Sequence, residues 1–325
     1  MERVKVDRIR LIGMGGTIAF GSVPEGAVPQ LDAADLIAEL GSVAAGIEPL
    51  DLTNVSSIAL GDQHLLALAR AVDESIDSGF GAIVITHGTD TMEETAYFLA
   101  LTISPGRAAI VLTGAMRHHD LDGYDGLANL RAALIASRAA GIADVGPVVV
   151  MSDEIHAARF VTKSHATRPG AFTSRPGPLG LVVESEAALW FRPLYTDYLG
   201  PVNVPSLPRV ELVSMVVGVN PTILRAAVAS QPDGLVIEGF GGGHVPPALL
   251  DCVDQAIAQG IPTVVASRSG DGPTLRQTYA VPGCEIDLQA RGAVMAGTIS
   301  AMKARLRLAV AIAIGHPLEA AFPVN

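Results

Sequence analysis

Cysteine is scarce: the 325-residue chain has two, Cys252 and Cys284. Two thiols exclude a disulfide framework and a four-thiolate zinc site, and each is expected to be a small buried hydrophobe. Charge is also sparse, at 17% of residues against about 25% in ordinary soluble domains, while hydrophobic residues make up 49%. That apolar mass excludes a disordered chain and favours surface hidden in an oligomer interface. The balance of 22 basic and 33 acidic residues gives −11, which repels phosphate backbones and anionic lipid heads, so neither nucleic acid nor a membrane is an expected partner. No apolar segment follows the charged start Glu2-Arg3-Val4-Lys5, and the late apolar run from Leu308 to Ile314 is too short to span a bilayer. A cytoplasmic protein is expected. No repeat of 20–50 residues and no low-complexity segment stands out.

What is present is an α/β alternation. Apolar runs at Ile9–Ile12, Ala82–Thr86, Ala109–Thr113, Val148–Met151, Met215–Val219, Leu235–Glu238 and Thr263–Ala266 read as buried parallel strands, because they are apolar throughout rather than alternating. Helical stretches at Ala33–Leu40, His64–Asp77, Glu93–Thr102, Gly126–Ala139, Thr222–Ser230, Pro247–Gln259 and Ser300–Ile314 separate them. Asp32 is a candidate N-cap, and Thr91 with Glu93 and Glu94 opens another helix with acid in its first turn. Proline and glycine crowd the segment from Arg168 to Pro208, where short strands and a linker fit. The expectation is a larger N-terminal domain at 1–190 with a parallel-rich sheet flanked by helices, a linker at 191–212, and a smaller C-terminal α/β domain at 213–325.

Three of the strands run into turns of small and polar residues: Gly13-Met14-Gly15-Gly16-Thr17, Thr86-His87-Gly88-Thr89-Asp90 and Thr113-Gly114-Ala115-Met116-Arg117. Ligands of open parallel sheets bind outside the carboxyl ends of strands, where glycine lets backbone N–H groups approach closely. A dinucleotide site does not fit, because Ile18 stands where that fingerprint wants Gly or Ala, and no Gly-Lys-Ser/Thr run forms a phosphate loop. In Thr89-Asp90 a hydroxyl and a carboxylate are adjacent. A threonine hydroxyl needs a base to become a nucleophile, and Lys163, among apolar and hydroxyl residues, is one candidate; an ordinary surface lysine is the other. His118, His119, Asp120 and Asp122 read as a solvated turn, and His87 as structural rather than as a general base.

Together these residues resemble the bacterial-type L-asparaginases, of the asparaginase/glutaminase amidohydrolase family. Gly15-Gly16-Thr17-Ile18-Ala19 is similar to that family's first threonine motif, and the thirteen residues from Ile85 to Tyr97 are similar to its second, long and specific one. Gly114-Ala115-Met116-Arg117, Asp125-Gly126-x-x-Asn129-Leu130, Val161-Thr162-Lys163 and Gly297-Thr298 extend the resemblance over essentially the whole chain. It implies two-step hydrolysis of L-asparagine to aspartate and ammonia through a threonine acyl-enzyme; the alternatives are an asparaginase–glutaminase of relaxed specificity and a non-catalytic small amino-acid-binding protein on the same fold. Thr17 attacks the carboxamide, while Thr89, Asp90 and Lys163 relay protons and activate water. The sequence leaves open which threonine attacks first. It further implies that Gly16, Gly88, Thr89 and the Ala115 turn surround the reacting amide, that Ser57 holds the α-carboxylate and Asp90 the α-ammonium. Glu285 then reaches the site of a neighbouring subunit, in a homodimer or homotetramer. No metal or organic cofactor is implied. Three departures stand out. The family's tyrosine is absent from the loop Phe20–Gln30. Ile58 follows Ser57 where a polar residue is common. His244 stands where the family has an asparagine, and is either a substitute at the shared site or a turn residue before a helix.

Overall fold

The computed structural model describes residues 6–194 and 196–323. Two compact units divide the chain, Met1–Tyr198 and Leu199–Asn325. The first unit opens with strand β1 (Ile9–Gly15), a hairpin of β2 (Phe20–Val23) and β3 (Gly26–Pro29), helix α1 (Ala33–Glu39) and strand β4 (Ile47–Val55). Helices and strands then alternate through α2 (Asp62–Asp77), β5 (Ala82–Thr86), α3 (Met92–Thr102), β6 (Ala109–Thr113), α4 (Gly126–Ser137) and β7 (Val148–Met151). Five short strands close the unit: β8 (Glu154–Ala157), β9 (Val161–Lys163), β10 (Phe172–Ser174), β11 (Gly180–Val183) and β12 (Glu186–Leu189).

Eight of these strands form one sheet in the order β12-β11-β8-β7-β6-β5-β1-β4. The stretch from β7 to β4 is parallel, and β8, β11 and β12 continue it antiparallel. All residues of β5, β6 and β7 are buried, which is why these runs lack polar alternation. Ile9, Leu11, Val84, Val111 and Val148 pack on one face against Leu36 of α1 and Leu130, Ala133 and Leu134 of α4. Alternate strand residues face the other way, toward the side where α2 and α3 touch each other and the sheet. Helix α1 begins at a complete capping box: Asp35 N donates to Asp32 Oδ1 at 2.8 Å and Asp32 N to Asp35 Oδ2 at 3.1 Å.

The second unit carries β13 (Val210–Ser214), α5 (Thr222–Ala229), β14 (Gly234–Gly239), α6 (Leu250–Ala258), β15 (Thr263–Ser267), α7 (Glu285–Arg291), β16 (Val294–Met295), α8 (Ala301–Ala313) and α9 (Leu318–Ala321). Its four strands are parallel, in chain order. The expected strand at Met215–Val219 is corrected to Val210–Ser214. Register decides the matter: Val210 to Ser214 pair with Gly234 to Glu238, and Val216 and Val217 beyond them are 52% and 91% exposed. Helix α8 packs on β13, β14 and β15, with even Lys303 and Arg307 buried. Among the described residues no helix is long and apolar enough to cross a membrane.

Candidate active site

Chain direction through the large sheet creates the site. From β1 the chain moves outward to β4, and from β5 it moves the other way to β6 and β7. The order therefore reverses between β1 and β5, and the carboxyl ends of adjacent parallel strands at such a reversal leave a crevice. The Thr17 turn follows β1 and the Thr89 turn follows β5.

Glycine lets these turns meet. Gly15 and Gly16 have φ of 81° and 86°, and Gly16 has ψ of −179°, a conformation open essentially to glycine alone. A Cβ on Gly16 would lie 2.3 Å from the Cα and amide nitrogen of Gly88, and one on Gly88 would lie 2.7 Å from Ser57 Cβ and Oγ. A Cβ on Gly114 would lie 2.4 Å from the His87 carbonyl oxygen. The turns carrying Thr17, Ser57, Thr89 and Ala115 thus pack backbone against backbone. Ser57 and Ala115 are buried, whereas Ile58 is 76% exposed. Thr91 Oγ1 donates to the Ser57 carbonyl at 3.2 Å, so this hydroxyl ties two turns together instead of capping α3.

Lys163 comes from β9, paired with β10. Its Nζ donates to Thr89 Oγ1 at 2.8 Å and to Asp90 Oδ1 at 2.5 Å. Its backbone N–H donates to Glu93 Oε1 at 3.2 Å, which anchors the strand to the first turn of α3. Lys163 is therefore not a plain surface charge; its side chain is 12% exposed, against 58% for Asp90. Thr89 is buried, while Thr17 is only partly covered at the start of a 3-10 turn, Thr17–Ala19.

Supporting groups hold these turns. His87 Nδ1 lies 2.7 Å from the Gly88 carbonyl and Nε2 lies 3.0 Å from Thr95 Oγ1. A carbonyl only accepts, so Nδ1 carries the proton and Nε2 accepts from Thr95. Burial lowers the His87 pKa to about 4, which keeps the ring neutral. Asp125 accepts from the amides of Met116 and Arg117 at 3.1 and 2.9 Å, and Asn129 Nδ2 donates to the Gly114 carbonyl at 3.0 Å.

Sequence reasoning passed over Tyr124. Its hydroxyl donates to the Ile18 carbonyl, next to Thr17, at 3.0 Å. Burial, with the carboxylates of Glu39 and Asp125, pushes the phenol pKa up and keeps it a donor. No local signal marks it, because Tyr124 and Ile18 are distant in sequence. The turn at His118–Leu121 is solvated as expected, with Leu121 47% exposed, yet it makes contacts: His119 N donates to the Phe20 carbonyl at 3.1 Å, Ser22 N to Asp120 Oδ2 at 2.5 Å, and His119 Nε2 lies 3.0 Å from Glu39 Oε1. The first two contacts pin the β2–β3 hairpin that follows Thr17, and the third ties the turn to α1.

In the second unit, His244 and Glu285 meet. His244 Nε2 is 3.3 Å from Glu285 Oε2, and Glu285 is fully buried. Glu285 Oε1 accepts from the amides of Thr278 and Tyr279, both at 2.6 Å. Cys252 is buried in the core as expected, but Cys284 is only partly covered. Cys284, His244 and Glu285 form the single group of three potential metal ligands among the described residues; His118, His119, Asp120 and Asp122 do not gather into one.

Comparison with known proteins agrees with this architecture. Residues 8–194 match the asparaginase N-terminal domain and residues 209–321 match the glutaminase/asparaginase C-terminal domain. The chain is 33% identical over 313 residues to an L-asparaginase of Bacillus licheniformis, covering 94% of this chain and 95% of that one. It is 34% identical over 321 residues to a probable L-asparaginase of Deinococcus radiodurans, covering 96% and 95%. Among solved structures, a probable cytoplasmic L-asparaginase of Campylobacter jejuni superposes with a TM-score of 0.85 at 28% identity, covering 96% of each chain. The chain belongs to the asparaginase/glutaminase family, a class of amide-cleaving hydrolases.

Proposed function

We propose that the chain hydrolyses L-asparagine to L-aspartate and ammonia. The observation that carries this reading is the Lys163–Thr89–Asp90 constellation, hydrogen-bonded at 2.8 and 2.5 Å, beside the glycine-packed Thr17 turn in a chain of this family. Thr17 Oγ1 attacks the side-chain carboxamide carbon. The C–N bond breaks, the threonine proton passes to the leaving nitrogen, and ammonia departs from an acyl-enzyme. Water then adds to the ester, its proton taken up through Thr89 and Lys163. The C–O bond to Thr17 breaks, and aspartate leaves with the threonine hydroxyl restored. Backbone N–H groups near Thr89 and Ala115 hold the developing oxyanion, an effect commonly worth roughly 3–4 kcal/mol.

Ser57 and Asp90 hold the amino-acid head, and the partly exposed His244, with the buried Glu285 carboxylate behind it, serves the site of a neighbouring subunit. The homo-oligomer is a dimer at minimum and a dimer of dimers in its full form. The low charged fraction, 17%, supports such a buried interface. We assign the protein to the cytoplasm, a reading supported by the solved relative described above. A relaxed specificity that includes glutamine is the second reading, favoured by the C-terminal domain, which glutaminases and asparaginases share.

Ammonia release from a panel of L-Asn, D-Asn, L-Gln and simple β-amides, without added metal, tests the proposal. L-Asn is expected to turn over; no turnover of any amide would refute it.

A further inference from the structure

Cys284, His244 and Glu285 place one sulfur, one nitrogen and one oxygen donor within 4.8 Å of one another. The three donors differ in kind but suit one metal. Zinc takes thiolate, imidazole and carboxylate together, whereas magnesium and calcium want oxygen alone. Two donors each 2.0–2.1 Å from a tetrahedral zinc stand about 3.4 Å apart. His244 Nε2 and Glu285 Oε2 are separated by 3.3 Å.

A second observation points the same way. Although these two atoms are close and enclosed, neither makes a hydrogen bond of acceptable direction. A fully buried carboxylate oxygen without a directed partner is costly. The other oxygen of Glu285 is fixed by the Thr278 and Tyr279 amides at 2.6 Å, so the carboxylate is held with Oε2 3.3 Å from the imidazole nitrogen. The edge of the His244 ring is set by Tyr279, with centroids 5.6 Å apart and planes at 88°. Two of the three donors are thus oriented before any ion arrives, and Cys284 adjoins Glu285 in the chain.

We propose that His244 Nε2, Cys284 Sγ and Glu285 Oε2 form a site for a thiophilic divalent cation, zinc above all, with a fourth position open to water. Binding exchanges the Cys284 S–H bond for an S–metal bond and releases the proton to solvent. One thiolate and one carboxylate neutralise the ion's charge. The reaction itself does not use this metal. Its consequence rests on the proposed function: zinc ties up the partly exposed His244 and the buried carboxylate behind it, the pair that would serve a neighbouring subunit's site, so it inhibits by raising KM for asparagine.

The test titrates cobalt(II), a spectroscopic stand-in for zinc, into chelator-treated full-length protein. One equivalent per chain is expected to give the intense visible bands of tetrahedral cobalt and a thiolate-to-cobalt charge-transfer band. Cys284→Ser is expected to lose the charge-transfer band and to weaken binding at least about tenfold. Cys284 occupies the N-cap position of α7 without capping it, a place where serine is favoured, so this variant retains the fold; Cys284→Ala is the second variant. Weak six-coordinate spectra in the wild type, or equal affinity in wild type and both variants, would overturn the site. Zinc should raise KM in the wild type and not in Cys284→Ser; equal zinc inhibition in the two would overturn the regulatory role. The cobalt spectrum reads the site whether or not the chain turns over asparagine, so failure of either proposal is seen separately.

Discussion

Gly16 and Gly88 touch so closely that a Cβ on the first would sit 2.3 Å from the Cα of the second. The contact joins the end of β1 to the end of β5, and with it the two threonine motifs. Gly16→Ala therefore faces a steric clash and a φ of 86° at once. The conformational part alone costs about 1–3 kcal/mol. Thermal denaturation should show a lowered Tm, and kcat should fall further than any loss of folded protein explains. A variant with wild-type Tm and kcat would show that the turns do not need this approach.

Thr17→Ala, Thr89→Ala and Lys163→Met should each reduce kcat far more than stability. A positioned acid–base group contributes roughly 10²–10⁴-fold, and members of one catalytic unit lose activity non-additively. Steady-state kinetics on the singles and the Thr89→Ala/Lys163→Met double variant checks this. Near-normal kcat in both threonine variants would reject the assigned roles.

The burial of His87 has a consequence for stability. Its pKa falls from 6.5 to about 4 on folding. Between those values the unfolded chain binds a proton that the folded chain refuses, so stability falls as pH drops from 6.5 toward 4 and this contribution is lost below it. The largest loss from this residue is about 3 kcal/mol. His156 behaves in the same direction. Denaturant unfolding across this window should show a shallower pH slope in His87→Gln; an unchanged slope would assign the acid sensitivity elsewhere.

Discrimination between amides should follow reach. In the proposed arrangement, where Ser57 and Asp90 hold the amino-acid head, the extra methylene of glutamine would carry its carboxamide past Thr17. One methylene in a pocket is worth about 1–3 kcal/mol, so kcat/KM should favour asparagine by roughly 10–200-fold. Equal or better values for glutamine would reject the geometry and support the relaxed reading.

The proposed sharing of sites between subunits can be tested by complementation. Glu285→Ala should raise KM or lower kcat while assembly persists. Mixing inactive Thr17→Ala chains with a severe Glu285 variant, under conditions of subunit exchange, should restore activity in hybrid dimers, because one hybrid site is intact. A fully active monomer in sedimentation at assay concentration would rule out a shared site.

Much of the fold was written in local pattern. Continuous burial leaves Ala82–Thr86 and Ala109–Thr113 apolar up to their terminal threonines, and the Asp32 cap marks the start of α1 because a side-chain oxygen must satisfy a helical N–H. Composition and local pattern were enough for the α/β character, and residue identity for the threonine motifs. The strand at Val210–Ser214 escaped because its limits depend on the residues of β14 that it pairs with, not on how apolar the run is. Tertiary structure alone decided that Tyr124 meets Ile18 and that His244 meets Glu285, and it supplied the contact by which Lys163, already grouped with Thr89 by the resemblance, reaches that threonine from β9. Such meetings depend on strand order and backbone close approach, which arise only when the whole chain packs, and no spacing along the sequence encodes them.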